Sequence, residues 1–105
     1  MFGEALKGHL DLLLLAVLEK GPAHGYAIIE TLRQRSAGTF DLPEGTIYPA
    51  LHRLEADGLL CSEWAEEGGR RRRVYRLTPP GEQALARRQQ EWRRFAGAVD
   101  ATVGS

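Results

Sequence analysis

The stretch "HLDLLLLAVLEK", residues 9–20, sets the strictest condition on how this chain folds. Read at helical period, Leu6, Leu10, Leu13, Leu14, Val17 and Leu18 recur at three- and four-residue spacings, and Leu12 and Leu15 widen the stripe until it runs round the helix. A helix that is apolar on every side must be covered on more than one face. The run is too short to cross a bilayer, which takes about 20 apolar residues, and no signal-peptide cleavage pattern accompanies it. In 105 residues with 43% hydrophobic content, the cover has to come from one small core, with a second copy of the chain as a natural supplement. The one cysteine, Cys61, excludes an internal disulfide, so a soluble protein of the reducing cytoplasm is expected.

The first helix is predicted over residues 4–20 and ends at "KGPAHGY", where Gly21 can take a positive φ and Pro22 cannot continue the helix. A short second helix is predicted over residues 24–35, burying Tyr26, Ile29 and Leu32 or their neighbours. In the third, over residues 44–57, Ile47, Ala50, Leu51 and Leu54 make the buried stripe, and Gly58 closes the helix. Thr46, Tyr48, Pro49, His52 and Arg53 then lie on its other faces, with Tyr48 directed outward. Its start is open. Asp41 or Thr46 is the expected cap; a start near Glu44 leaves the Gly45 carbonyl without an amide from Pro49 and kinks the first turns, whereas a start near Thr46 puts Pro49 in the tolerated first turn. Strand character follows, with Leu60, Ser62 and Trp64 alternating, Gly68 and Gly69 turning, and Val74, Tyr75 and Leu77 in a second strand. Thr78 as N-cap and Pro79 in the first turn start a final helix that runs to about residue 101.

Three helices followed by a hairpin is the order of a winged helix-turn-helix domain, mainly α with a small β-hairpin. Residues 1–78 are read as that domain and residues 79–105 as a C-terminal dimerisation helix within the same compact unit. The third helix is then the element for the DNA major groove, which is about 12 Å wide and admits a helix. Net charge is zero, yet residues 1–60 carry five basic against eight acidic side chains and residues 61–105 nine against six. Four of those nine, Arg70, Arg71, Arg72 and Arg73, are consecutive, directly after the glycine pair. They make either a solvated turn or a wing that reaches flanking phosphates or the minor groove, where clustered cations release counterions.

The stretches "GPAHGYAIIETL", "EGTIYPALHRLEADGLL" and "RRVYRLTPPGEQAL" resemble the three signature stretches of PadR-type transcriptional regulators, in the same order and at similar separations. The resemblance runs from about Leu6 to the end of the chain. It implies a dimeric DNA-binding winged helix, usually a repressor, with Tyr48 near the operator backbone and Arg70, Arg71, Arg72 and Arg73 on DNA. His24, Gly25 and Tyr26 match the start of the family's second helix, which also lies close to DNA. One departure is "DLPEGT", which stands where family members often have a serine before the recognition helix.

On the last helix Leu85, Trp92 and Val99 recur every seven residues, with Phe95 and Ala96 between them. The expected dimer interface gathers Leu6, Leu10, Leu13, Leu14 and Val17 of the first helix with Leu85, Trp92, Phe95 and Val99 of the last. Two-fold symmetry then calls for a palindromic operator of double-stranded DNA. In short PadR-like proteins that bind aromatic drugs, a tryptophan of the final helix lines a cavity at the dimer interface. Trp92 matches that position, and Leu14, Phe95 and Val99 complete such a small-molecule effector pocket; the alternative is an ordinary interface tryptophan. His9, His24, His52 and Cys61 lack metal-ligand spacing, no Ser-His-Asp or Cys-His arrangement is inferable, and no GxxxxGK[ST] loop occurs, so neither cofactor nor enzymatic activity is expected. Two classes remain: a sequence-specific regulator, and a winged-helix protein-interaction module without DNA binding. The second leaves the four arginines unexplained.

Overall fold

The computed structural model describes residues 3–104. Its elements are α1 (Gly3–Leu18), β1 (Ala23–His24), α2 (Gly25–Arg35), α3 (Glu44–Ala56), β2 (Leu60–Glu67), β3 (Arg70–Leu77) and α4 (Pro79–Val103). The winged helix-turn-helix order expected from the sequence is present, with one addition. The hairpin is part of a three-stranded antiparallel sheet in the order β1-β3-β2. The extra strand has only two residues, Ala23 opposite Tyr75 and His24 opposite Val74, and forms because β3 offers it an edge. A two-residue strand has no periodicity of its own to detect.

The apolar α1 is covered by α2, α3, α4 and β3. Leu14, Leu15, Val17 and Leu18 are buried, and Ile28 and Leu32 of α2, Ile47, Ala50, Leu51 and Leu54 of α3, Leu60, Tyr75, Ala84 and Leu85 complete the core. Fully burying one such Leu or Ile side chain contributes about 1.5–3 kcal/mol. The α3 stripe is the expected one, and on α2 Leu32 is buried as expected while a neighbour takes the place of Ile29. Ile28 replaces Ile29 as the buried residue beside Leu32, and Tyr26 is 58% exposed, because α2 starts at Gly25 and turns Tyr26 out of the core.

The predicted dimer interface is corrected in the same way. Leu14 and Leu85 are buried at 0% and 3% exposure inside their own chain, and Val17 is buried beside them, so none is available to a partner. Leu14 is likewise no part of a pocket with Trp92. The first turns of α4 belong to the domain core, which was underestimated because a heptad pattern does not say which of its members meets the chain's own helices. Leu10 and Leu13 are partly buried against the core and Leu6 is half-buried, whereas Trp92, Phe95, Val99 and Val103 are exposed on α4.

Helix ends are set by local chemistry. α3 starts at Glu44, with Pro43 as N-cap and no side-chain cap; the Pro43 carbonyl accepts from the Thr46 and Ile47 amides at 3.0 and 3.2 Å. Neither Asp41 nor Thr46 caps it. Pro49 therefore lies inside the helix. Gly45 and Pro49 are both exposed, where water can take up the carbonyl that proline cannot serve. At α4 the Thr78 hydroxyl accepts from the Gly81 amide at 3.0 Å and donates to the Gly58 carbonyl at 2.6 Å, tying the end of α3 to the start of α4. That junction is tight: a Cβ on Gly81 would stand 2.0 Å from the Leu59 carbonyl oxygen.

Gly81→Ala is therefore expected to destabilise the fold by about 1–3 kcal/mol in a urea titration; unchanged stability would refute the close approach. A second expectation concerns alkaline pH. Burial, then the nearby Glu55 charge, raises the Tyr75 phenol above its ordinary 10.0, so the folded chain favours the neutral form. Its contribution to stability is complete below pH 10.0 and is lost as pH rises through the raised folded value. Urea unfolding followed across that range should show the decline, and Tyr75→Phe should reduce it.

Candidate nucleic-acid interface

Gly68 and Gly69 have φ of 57° and 78°, the two positive values of a two-residue hairpin turn that few other residues adopt. With Glu67 paired to Arg70 across it, the register places Trp64 opposite Arg73 and Ser62 opposite Tyr75. The arginine run is thus not the turn itself but the first half of β3. Because side chains alternate along a strand, Arg71 and Arg73 share a face with Trp64, and Arg70 and Arg72 share the other with Val74 and its partner His24. The guanidinium carbons of Arg71 and Arg73 lie 4.9 and 5.3 Å from the centroid of the Trp64 ring, within cation–π range.

β1 and the front of α2 meet the basic strand. His24 caps α2, its Nδ1 accepting from the Ala27 amide at 3.3 Å, with Arg72 Nη1 3.5 Å from the same nitrogen. An accepting Nδ1 leaves the proton of the neutral ring on Nε2, which faces the Glu67 carboxylate at 3.9 Å. Gly25 is required by contact: a Cβ there would lie 2.1 Å from the Tyr48 hydroxyl oxygen. Tyr48 therefore does not point freely outward from α3; it is half-buried, laid across the start of α2. Its pKa is raised by burial first and by the Glu44 charge second. Tyr26 does stand out into solvent, where its hydroxyl donates to Glu44 Oε2 at 2.7 Å, and this hydrogen bond leads the causes that raise its pKa. Both phenols accordingly remain neutral donors at physiological pH.

His24, Gly25, Tyr26, Tyr48, Trp64 and the four arginines line one groove of about 270 Å³. Of the residues expected at DNA from α3, Pro49 and His52 are exposed and Thr46 is half-buried. Arg53 is held elsewhere: its two terminal nitrogens grip Asp11 of α1 at 3.0 and 2.7 Å. Asp11 also lies 3.8 Å from Arg88 of α4, so one carboxylate joins three helices. Five participants escaped the sequence reading as site residues, namely Glu44, Trp64, Asp11, Glu55 and Ser62. Only Trp64 had a usable signal, since the glycine turn fixes which arginine it faces.

The aromatic stripe of α4 lies apart from this groove. Trp92 packs edge-on against His9 at 5.1 Å and tilts against Phe95 at 6.1 Å. With Gly8, Leu12, Arg88 and Glu91 these residues line a second groove of about 220 Å³ between α1 and α4. Among the described residues no helix is long and apolar enough to cross a membrane, and no three His, Cys, Asp or Glu side chains are grouped to hold a metal ion.

Known proteins are similar to this chain in sequence and fold. The chain is similar to the transcriptional regulator Rv3488 of Mycobacterium tuberculosis, at 50% identity over 62 residues that make up 59% of this chain and 55% of that protein. The chain thus spans about half the length of that relative. The structure of a transcriptional regulator from Clostridium thermocellum superposes with a TM-score of 0.85 at 30% identity, covering 93% of this chain and 96% of that one. The crystal structure of a PadR family transcriptional regulator from Eggerthella lenta gives a TM-score of 0.83 at 33% identity, covering 98% of this chain and 88% of that one. Residues 14–87 match the transcriptional regulator PadR-like family, spanning α2, α3, the sheet and the parts of α1 and α4 that form the core. The chain belongs to the PadR-like family of transcriptional regulators.

Proposed function

We propose that this chain is a cytoplasmic homodimeric repressor that binds a palindromic operator in double-stranded DNA. The observation that carries the reading is the groove in which Tyr48 of α3, the front of α2 and four arginines of β3 converge. Arginine guanidinium and neutral tyrosine hydroxyl groups both donate to phosphate oxygens, and such contacts fix register on the duplex. α3 lies in the major groove with His52 and Thr46 toward base edges, and Pro49 on its exposed side shapes the approach. Arg53, bound to Asp11, orients α3 from behind.

Trp92, Phe95, Val99 and Val103 are large apolar side chains left exposed along α4, at 43%, 57%, 39% and 69%. A second copy covers them, with half-sites about one helical turn apart, roughly 34–36 Å. A planar aromatic effector fits the groove beside Trp92, against His9, Leu12 and Phe95, and releases the operator by changing the spacing of the two recognition helices.

Binding to duplex DNA is expected to weaken steeply as salt rises, and Arg71→Ala or Arg72→Ala should each lower the slope of log affinity against log salt by about 1. Salt-insensitive binding, or slopes untouched by both changes, would instead favour a protein-interaction module. A footprint on the DNA upstream of the gene reads the palindrome directly. Phe95→Glu combined with Val99→Glu should convert a dimer into a folded monomer in sedimentation, and a variant that stays dimeric would remove α4 from the interface.

A further inference from the structure

The four consecutive arginines are alike in sequence but not in their surroundings. Arg70 and Arg71 are exposed and Arg72 lies beside His24, whereas Arg73 is engaged on three sides. Its Nε donates to the Ser62 hydroxyl at 2.8 Å, and that hydroxyl in turn donates to Glu55 Oε2 at 2.7 Å. Its Nη2 lies 3.9 Å from the same Glu55 oxygen, and its guanidinium carbon lies over the Trp64 ring. Glu55 is on α3, Ser62 and Trp64 on β2 and Arg73 on β3. One hydroxyl, donating its proton to Glu55 and accepting from Arg73, therefore links α3 to both strands of the wing.

We infer that Arg73 is a positioning residue which, through Ser62 and Glu55, sets the angle between recognition helix and wing, while Arg70, Arg71 and Arg72 contact the phosphates. The inference rests on the reading of this surface as a DNA interface. The geometry supports it in two ways. A guanidinium whose Nε is bonded to Ser62 and whose Nη2 faces the Glu55 carboxylate at 3.9 Å has fewer donors to offer a phosphate than its neighbours. The bridge also closes the gap between α3 and the hairpin at the point where both leave the core: Leu54 and Leu60 are buried, while Glu55 and Ser62 are only partly so. A planar fork is needed to serve hydroxyl, carboxylate and ring together, and a lysine ammonium lacks that shape.

The experiment measures binding of the full chain to a short duplex of mixed sequence over a salt series, for wild type and for Arg73→Ala, Arg73→Lys, Ser62→Ala, Glu55→Gln and Arg71→Ala. Arg73→Ala is expected to weaken binding about threefold to fivefold, the scale of a partly exposed ion pair, with the salt slope kept. Arg71→Ala is expected to reduce the slope by about 1. Arg73→Lys should fail to restore affinity although it restores the charge, and Ser62→Ala and Glu55→Gln should reproduce the Arg73→Ala loss without adding to it in double variants. A slope change in Arg73→Ala equal to that of Arg71→Ala, or full rescue by lysine, would overturn the assignment. If Arg73→Ala fails to fold by circular dichroism, Ser62→Ala decides the matter, since wild-type affinity in that variant also overturns it. A wild-type chain without salt-dependent binding overturns the DNA reading itself, an outcome distinct from both.

Discussion

Leu14, Leu15, Val17 and Leu18 of α1 are buried against helices on several sides and against β3, and the outward surfaces take their positions from that packing. Because α1 has no polar face wide enough to leave in water, α2, α3, the root of the hairpin and the first turns of α4 close around it. Each of these elements contributes its apolar stripe to the same core, so each is left with its polar side turned out. The stripe on α3, Ile47, Ala50, Leu51 and Leu54, determines which residues of that helix can meet a partner. α4 has only its first turns in the core, and its remaining length carries a stripe of large apolar side chains outside it.

A second layer of order is electrostatic. The chain is neutral in total, yet β3 brings four arginines next to the front of α2, while the acidic β2 pairs with them across the hairpin. Glu66 stands opposite Arg71 and Glu67 opposite Arg70, and Arg76 reaches Glu63 at 3.3 Å. An exposed ion pair such as Arg76–Glu63 is worth about 0.2–1 kcal/mol. Arg53 and Arg73 are held differently, by Asp11 and by the Ser62–Glu55 pair, and both tie α3 to its surroundings.

Much of this was legible before any coordinates. The apolar stripes of α1 and α3 follow from three- and four-residue spacing, and the closing glycine of α3 appears where it was expected, with Gly58 at φ 81°. The two-glycine turn fixes the hairpin register completely, since residues paired across it have numbers that rise and fall in step from Glu67 and Arg70. Less legible were β1, which exists only because β3 offers it a partner, and the start of α3, where a proline carbonyl does the capping that a side chain was expected to do. The orientations of the Tyr26 and Tyr48 rings were not legible either. Tyr26 turns outward to Glu44, and Tyr48 lies back over Gly25, because the glycine leaves room for a ring that no pattern in α3 reveals.

Local chemistry alone determined the order of elements, their approximate ends, the buried stripe of α3 and the clustering of positive charge, because these depend on neighbours within one turn or one strand. Tertiary structure alone decided that Leu14, Val17 and Leu85 serve the chain's own core, that Arg53 is bound by Asp11, and that four adjacent arginines have different surroundings. Those outcomes depend on residues distant in the chain arriving within a few ångströms of one another, as Asp11 and Arg53 do at 2.7 Å, and a periodicity has no record of that distance.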